Sequence, residues 1–249
     1  MENKKILITG AGSGLGKALS LWASSFATDL CLLSQSQQKL DVIQTKLNCK
    51  NKVYSLDFTK EKELDNVLTD LVKTNFIPDI IIHCAGGGFK MHDPLLNRQE
   101  FCRLLDVNLT SVIQINNQLI PEMINRQNGV VIHIGSTAAH AAHGSVAYNT
   151  AKAALVAYVR SLGRALAATG IVITGISPGS FIAEGNNMFN FKTKNVAEFE
   201  NYAASLPAKR MIDVSEFLLI IKTLCEQKGP LFSGCMLPID AGEGMAYMS

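Results

Sequence analysis

Short apolar runs alternate with segments of helical periodicity along the whole chain, and this alternation restricts the fold more than any other feature. Strand-like runs fall at residues 4–9, 29–34, 52–56, 79–83, 129–135, 170–176 and 234–239. Helical patterns lie between them near 14–27, 37–47, 60–74, 98–126, 147–168 and 213–226. Strands apolar on both faces, each followed by a helix, predict an α/β fold, a doubly wound sheet of seven parallel strands with helices on both faces. Ligands of such sheets bind beyond the carboxyl ends of the strands. The 249 residues, 47% hydrophobic and 18% charged, suffice for one such domain with a substantial core and exclude a disordered chain. No repeat, low-complexity stretch or Pro/Ser-rich linker interrupts the pattern, so a single domain over 1–249 is expected.

The first strand, Lys4 to Thr9, runs into Gly10-Ala11-Gly12-Ser13-Gly14-Leu15-Gly16, after which a helix begins. Strand, glycine-rich turn and helix let backbone amides and the positive helix end hold a pyrophosphate. The spacing Gly10-x-x-x-Gly14-x-Gly16 differs from the commoner Gly-x-Gly-x-x-Gly, and a plain flexible loop is the alternative. Tyr148 and Lys152 stand one turn apart near a helix start. A cation near a phenol favours the phenolate and brings its pKa toward neutrality, which suits proton transfer; an ordinary solvated helix face explains the same spacing. Other distinctive residues fall at strand ends. Asp57 follows the third strand, placed to accept from an adenine amino group or to cap the next helix. Ala85-Gly86-Gly87-Gly88 follows the fourth, where bare backbone permits close approach of a ribose or ring, or simply makes a tight turn. Ser136 follows the fifth, where a hydroxyl can donate to a developing alkoxide.

A net charge of +2 and the absence of a basic stripe with interleaved aromatics argue against nucleic acid. Neither a secretory hydrophobic region nor a transmembrane run is present, so a cytoplasmic address is expected. Six scattered cysteines without Cys-x-x-Cys read as reduced structural thiols. His140 and His143 lack a third partner for zinc, so no metal is expected; substrate contact or solvent exposure remain. Arg126, Arg160 and Arg164 form either a basic surface for an acidic carrier or solvated helix faces.

Seven of these features in order resemble the short-chain dehydrogenase/reductase family over essentially the whole chain. Thr9-Gly10-x-x-x-Gly14-x-Gly16 is similar to its cofactor signature, Cys84-Ala85-Gly86 to its Asn-Ala-Gly strand end, and Asp106-Val107-Asn108 to its helix asparagine. Ser136, Tyr148 and Lys152 match its catalytic set, Ser177-Pro178-Gly179 the turn beside the nicotinamide, and Leu237 to Gly242 its closing strand. The resemblance implies a Rossmann-type domain with a cofactor half near 1–135, a catalytic half near 136–249 and a substrate lid near 181–207. It implies hydride transfer between NAD(P)(H) and a carbonyl or secondary alcohol. Tyr148 would exchange the proton, Lys152 would lower the tyrosine pKa and bind the nicotinamide ribose, Ser136 would polarise the substrate oxygen, and Asn108 would hold a water leading from Lys152 to solvent. Cofactor contacts would come from Gly10, Ser13, Gly14, Leu15, Gly16, Ser34, Gln35, Asp57, Phe58, Ala85, Gly86, Pro178, Gly179 and Phe181, with Tyr148 and Lys152. Three positions depart from the pattern. Cys84 replaces an asparagine whose side chain ties the sheet, Ala183 stands where many members carry a threonine for the carboxamide, and the Ser136-to-Tyr148 interval is one residue short.

After the second strand, Ser34-Gln35-Ser36 offers donors and no carboxylate to repel a 2′-phosphate, which favours NADP(H) over NAD(H), although the expected arginine is missing. The lid, with Asn186-Asn187-Met188-Phe189-Asn190-Phe191, would suit an apolar acyl chain or a sugar. Three functions follow: a reductase of 3-oxoacyl thioesters, free or carrier-linked; a dehydrogenase of a sugar or nucleotide-linked sugar; or a nicotinamide-binding sensor without turnover, against which the intact catalytic set argues. The resemblance also implies a homotetramer, with a homodimer second, and leaves Val112, Ile115, Leu119, Val156, Val159 and Leu162 to an interface or to the chain's own core.

Overall fold

The computed structural model describes residues 3–245; Met1, Glu2 and Ala246–Ser249, and with them both ends of the expected 1–249 domain, lie outside the described residues. In chain order the elements are β1 (Lys4–Thr9), α1 (Gly14–Ala23), β2 (Ala27–Ser34), α2 (Gln37–Gln44), β3 (Lys50–Ser55), α3 (Glu61–Lys73) and β4 (Ile80–His83). There follow α4 (Arg98–Leu105), a π-helical turn (Asp106–Thr110), α5 (Ser111–Asn125), β5 (Gly129–Ile134), α6 (Val146–Leu166) and β6 (Ile171–Pro178). The last part holds β7 (Phe181–Ile182), α7 (Asn187–Lys194), α8 (Val196–Ser205), β8 (Ile212–Asp213), α9 (Glu216–Cys225) and β9 (Met236–Ile239).

Seven strands form one sheet in the order β3-β2-β1-β4-β5-β6-β9, every pair parallel. The period of two along each strand divides its side chains between two apolar clusters. Leu7, Cys31, Leu33 and Val131 face α3, α5 and α6 through Leu64, Leu68, Val112, Ile115, Leu119, Leu155 and Val159. Ile6, Ile8, Leu30, Leu32, Val130 and Ile132 face α1, α2 and α9 through Leu19, Leu40, Phe217 and Ile221. Because β1 lies between β2 and β4, strand order reverses there, and a crevice opens beyond the ends of β1 and β4. Of the helical positions left between interface and core, Val112, Ile115, Leu119 and Val159 are buried in the chain's own core, while Val156 and Leu162 pack against it and stay half-exposed.

Three parts of the chain depart from the sequence expectation. The helix expected over 98–126 is broken by the π turn, where Asn108 Nδ2 donates to the Leu104 carbonyl at 2.9 Å and so competes for the acceptor of a regular helical bond. Residues 181–182 and 212–213 pair as a small separate sheet under the lid, too short to leave a periodic signal. The lid contains two helices rather than a loop with one. Asn186 caps α7 by accepting from the Phe189 amide at 2.8 Å, and Asn195 caps α8 by accepting from Glu198 at 3.2 Å.

Candidate active site

The glycine turn is folded tightly over the ends of β1 and β4. Gly10 has φ +66°, and a Cβ there would lie 2.7 Å from the Ala85 amide nitrogen. A Cβ on Gly16 would lie 2.3 Å from the Gly10 carbonyl oxygen, so the first turn of α1 is drawn onto the strand end. Thr9 completes the junction by accepting from the amides of Cys84 at 3.1 Å and Ala85 at 3.0 Å. These bonds tie β1 to β4 where Cys84 has no amide side chain, and burial pushes the Cys84 thiol up to about 12, an inert structural group. Leu15 anchors α1 in the core, leaving its own amide and that of Gly16 without intrahelical acceptors. The first turn of α1 holds no acidic residue. The Gly14 amide donates instead to the Glu184 carbonyl at 2.9 Å, and Lys17 Nζ lies 2.7 Å from Glu184 Oε1, so the start of the lid rests on the glycine turn.

Around the end of β2, Ser34 is buried beside Gly12, whose Cβ would meet Ser34 Oγ at 2.5 Å and Lys39 Cβ at 3.3 Å. Gln35 is exposed, while Ser36 caps α2 by accepting from the Lys39 amide at 3.4 Å. Lys39, which the sequence did not single out, places its Cβ beside Gly12 and its amide on Ser36, so its side chain starts next to the serines. Asp57 is not a helix cap, since Lys60 holds that position in α3. Asp57 Oδ1 accepts from the amide and hydroxyl of Thr59 at 3.0 and 2.8 Å, and these bonds hold its carboxyl below the usual range. Phe58 and Phe181 place their rings in the two cores, Phe181 edge-on to Phe217 at 5.1 Å, so only their backbones can face the crevice.

Catalytic candidates from three elements converge beyond β4 and β5. Ser145 caps α6 by accepting from the Tyr148 amide at 3.4 Å, fixing the helix start that carries Tyr148 and, one turn on, Lys152. Lys152 is buried, with Nζ donating to the Ile134 carbonyl at 3.0 Å and lying 5.8 Å from the centroid of the Tyr148 ring. A Cβ on Gly86 would come 3.2 Å from Lys152 Nζ and 2.7 Å from Asn108 Oδ1, and one on Gly88 would touch the Tyr148 ring at 3.8 Å. Asn108 clamps the Gly87 peptide, accepting from its amide and donating to its carbonyl, each at 3.0 Å. With Leu104 taking the other proton, the amide has one Oδ1 lone pair left for a water. Ser136 Oγ accepts from the Ala138 amide at 3.1 Å, and its O–H is the donor toward the Tyr148 phenol.

Burial dominates the electrostatics of this corner. Burial raises the Tyr148 pKa, and the opposing influence is the Ser136 hydroxyl, not Lys152. The lysine is itself pushed down to about 8 by burial. It donates to the Ile134 carbonyl and stands beside the Tyr148 ring.

Bare backbone over the crevice, free first-turn amides, the serines with Lys39, and a phenol and ammonium at the far end fit a nicotinamide dinucleotide laid across the strand ends. Among the described residues no three His, Cys, Asp or Glu side chains cluster as a metal site, and no helix is long and apolar enough to cross a membrane. The six cysteines are free. Arg126 donates to the Pro78 carbonyl at 2.8 Å and serves the fold, whereas Arg160 and Arg164 are exposed.

A polar cluster behind the site was missed altogether. His83 and His133, opposite each other on β4 and β5, stack at 4.9 Å. Asn116 Oδ1 lies 2.9 Å from His83 Nε2, while Asn116 Nδ2 lies 3.2 Å from His133 Nε2 and 3.1 Å from the Tyr158 hydroxyl. Burial pushes His83 down to about 4 and His133 well below its ordinary range, so both rings are neutral. Only the parallel register brings these histidines together.

Known proteins are similar to this chain in sequence and fold. An uncharacterized oxidoreductase of Staphylococcus epidermidis is 27% identical over 215 residues, which cover 84% of this chain and 94% of the relative. The 3-oxoacyl-acyl-carrier-protein reductase of Buchnera aphidicola subsp. Baizongia pistaciae is 30% identical over 247 residues, 96% of this chain and 97% of that one. The crystal structure of L-sorbose reductase from Gluconobacter frateurii, complexed with NADPH and L-sorbose, shares the fold with a TM-score of 0.87 at 20% identity, over 99% of this chain and 98% of that one. The profile described as short chain dehydrogenase matches residues 4–193, and the chain belongs to that family as an NAD(P)-dependent dehydrogenase/reductase.

Proposed function

We propose that this chain is an NADPH-dependent carbonyl reductase acting on 3-oxoacyl thioesters, free or carrier-linked. The observation that carries the reading is the convergence of Ser136, Tyr148 and Lys152 around the bare backbone of Gly86 to Gly88. The full-length likeness to the Buchnera 3-oxoacyl reductase supports the substrate class. Within the lid, Phe191 packs on Phe199 and Tyr202 as the lid's own core, while Met188 and Phe189 stay half-buried and available to an acyl chain. Of the asparagines behind the sugar reading, Asn186 is engaged as a cap, while Asn187 and Asn190 stay exposed. Lys39 and Ser34, with no carboxylate between them, favour the 2′-phosphate of NADP(H).

The nicotinamide, when bound, supplies the hydride. Ser136 turns its O–H from Tyr148 to the substrate oxygen and orients the carbonyl. Tyr148 delivers the proton as that oxygen becomes an alkoxide. Lys152 holds a positive charge at the ribose end, and the lone pair of Asn108 seats a water between Lys152 and solvent. A homotetramer in the cytoplasm completes the reading, and a monomer in sedimentation at micromolar concentration would refute the assembly.

The test follows reduced-nicotinamide absorbance with NADPH or NADH against acetoacetyl thioesters and keto-sugars. Thioester turnover with NADPH is expected, lost by about 10²- to 10⁴-fold in Tyr148→Phe while NADPH still binds. Turnover of keto-sugars alone would replace the substrate class. Activity unchanged in Tyr148→Phe would overturn the assigned chemistry.

A further inference from the structure

The stretch after β9 builds a carboxylate clamp on the turn that follows β6. Asp240 gathers the amides of Gly242 and Gly244 at 3.0 Å each, and Ala241 and Gly242 adopt left-handed φ of 53° and 82°. The chain therefore reverses sharply at the end of the sheet and lays Glu243 over Gly179. A Cβ on Gly179 would lie 2.6 Å from Glu243 Oε2, so glycine makes room for the carboxylate. Glu243 Oε2 accepts from the Ser180 amide, and Oε1 accepts from the Ser180 hydroxyl at 2.8 Å. With that hydroxyl proton committed, Tyr202 on α8 donates to Ser180 Oγ at 2.7 Å. One half-buried carboxylate thus joins the C-terminal stretch, the Gly179–Ser180 turn and the second lid helix.

We propose that Glu243 is a positioning residue for the nicotinamide end of the cofactor site, holding the Pro178–Phe181 turn in place and coupling it to the lid through Ser180 and Tyr202. This rests on the reading that the turn flanks the nicotinamide. Ala183, buried in the same segment, brings no hydroxyl to the site. The turn's geometry therefore depends on what holds it from behind. An anionic acceptor of two bonds from one residue fixes that backbone more firmly than a neutral one.

The test compares NADPH with 2′-phospho-ADP-ribose, which keeps the adenine, phosphates and ribose but lacks the nicotinamide. Calorimetric titrations would use the wild type, Glu243→Ala, Glu243→Gln, Tyr202→Phe and the Glu243→Ala/Tyr202→Phe double variant. Glu243→Ala is expected to weaken NADPH about tenfold, the scale of one hydrogen bond to a charged group, while 2′-phospho-ADP-ribose stays within about twofold. Glu243→Gln should recover part of the loss, and Tyr202→Phe should weaken NADPH alone yet add nothing in the Glu243→Ala background. Equal weakening of both ligands would reduce Glu243 to a prop for the fold, and undiminished NADPH binding would end the proposal outright. A wild type that binds neither ligand would instead overturn the nucleotide site on which the proposal stands. Should Glu243→Ala fail to fold, Tyr202→Phe, which keeps the ring, carries the same comparison.

Discussion

Lowering the pH from 7 to 5 should cost this protein about 2 kcal/mol at His83 alone. The ring is fully buried between β4 and β5, and its pKa is pushed from an ordinary 6.5 down to about 4 because the charged form would lose its hydration. A depressed folded-state pKa means that the unfolded chain binds a proton the native chain refuses. The stabilisation is complete above 6.5, falls as the pH drops, and is exhausted below about 4. At about 1.4 kcal/mol per unit, the whole difference of 6.5 minus 4 amounts to roughly 3 kcal/mol, and most of it is lost by pH 5. His133 is shifted in the same direction and steepens the slope. Depressed carboxylates such as Glu216, held near 2 by Arg210, act in a more acidic window and leave this range clear. Urea unfolding followed by far-ultraviolet circular dichroism at intervals from pH 7 to 5 would measure the slope. His83→Gln keeps an amide near Asn116 and should unfold with a distinctly shallower pH dependence. Equal slopes in wild type and variant would refute the argument, since they would show that His83 takes no part in the proton uptake.

Thr9→Val removes the acceptor for the Cys84 and Ala85 amides and should destabilise by about 1–3 kcal/mol in the same unfolding assay. Gly16→Ala forces a Cβ against the Gly10 carbonyl, and either a loss of about 1–3 kcal/mol or a displaced glycine turn should follow, the latter read as weakened nucleotide binding. Lys152 is depressed to about 8, so the part of turnover that depends on its charge should fall as the pH rises through that value; Lys152→Met should be far slower and lack this limb in its pH–rate profile.

Much of the molecule was legible in order along the chain. Strand periodicity, the run from Thr9 into Gly16 and the spacing of Tyr148 and Lys152 are local patterns, so the sheet and its reacting edge could be read directly. What stayed hidden depends on pairs distant in sequence. Asn108 also clamps Gly87, 21 positions away, and nothing in the continuous helical pattern over 98–126 announces that contact. His83 and His133 look like stray polar residues at strand ends until the register sets them face to face. The lid asparagines left two uses open because a short amide that recognises a sugar and one that caps a helix are chemically identical. Glu243 lay in a terminal stretch without motif, and its partner Ser180 is 63 positions away.

The bond from the Gly14 amide to the Glu184 carbonyl bears on how the molecule is made. A ribosome releases the chain from its amino end, so the β1-turn-α1 unit emerges long before residue 184 exists. Until then the turn's amides face water or whatever anion diffuses by, and neighbouring β1 waits for β4 as its second partner. The lid can close over the glycine turn only after residue 184 has been made, and the clamp at Glu243 only after the last strand. Nascent chains halted before residue 184 therefore offer a direct view of nucleotide capture by the turn alone, separated in time from the closure that later covers it.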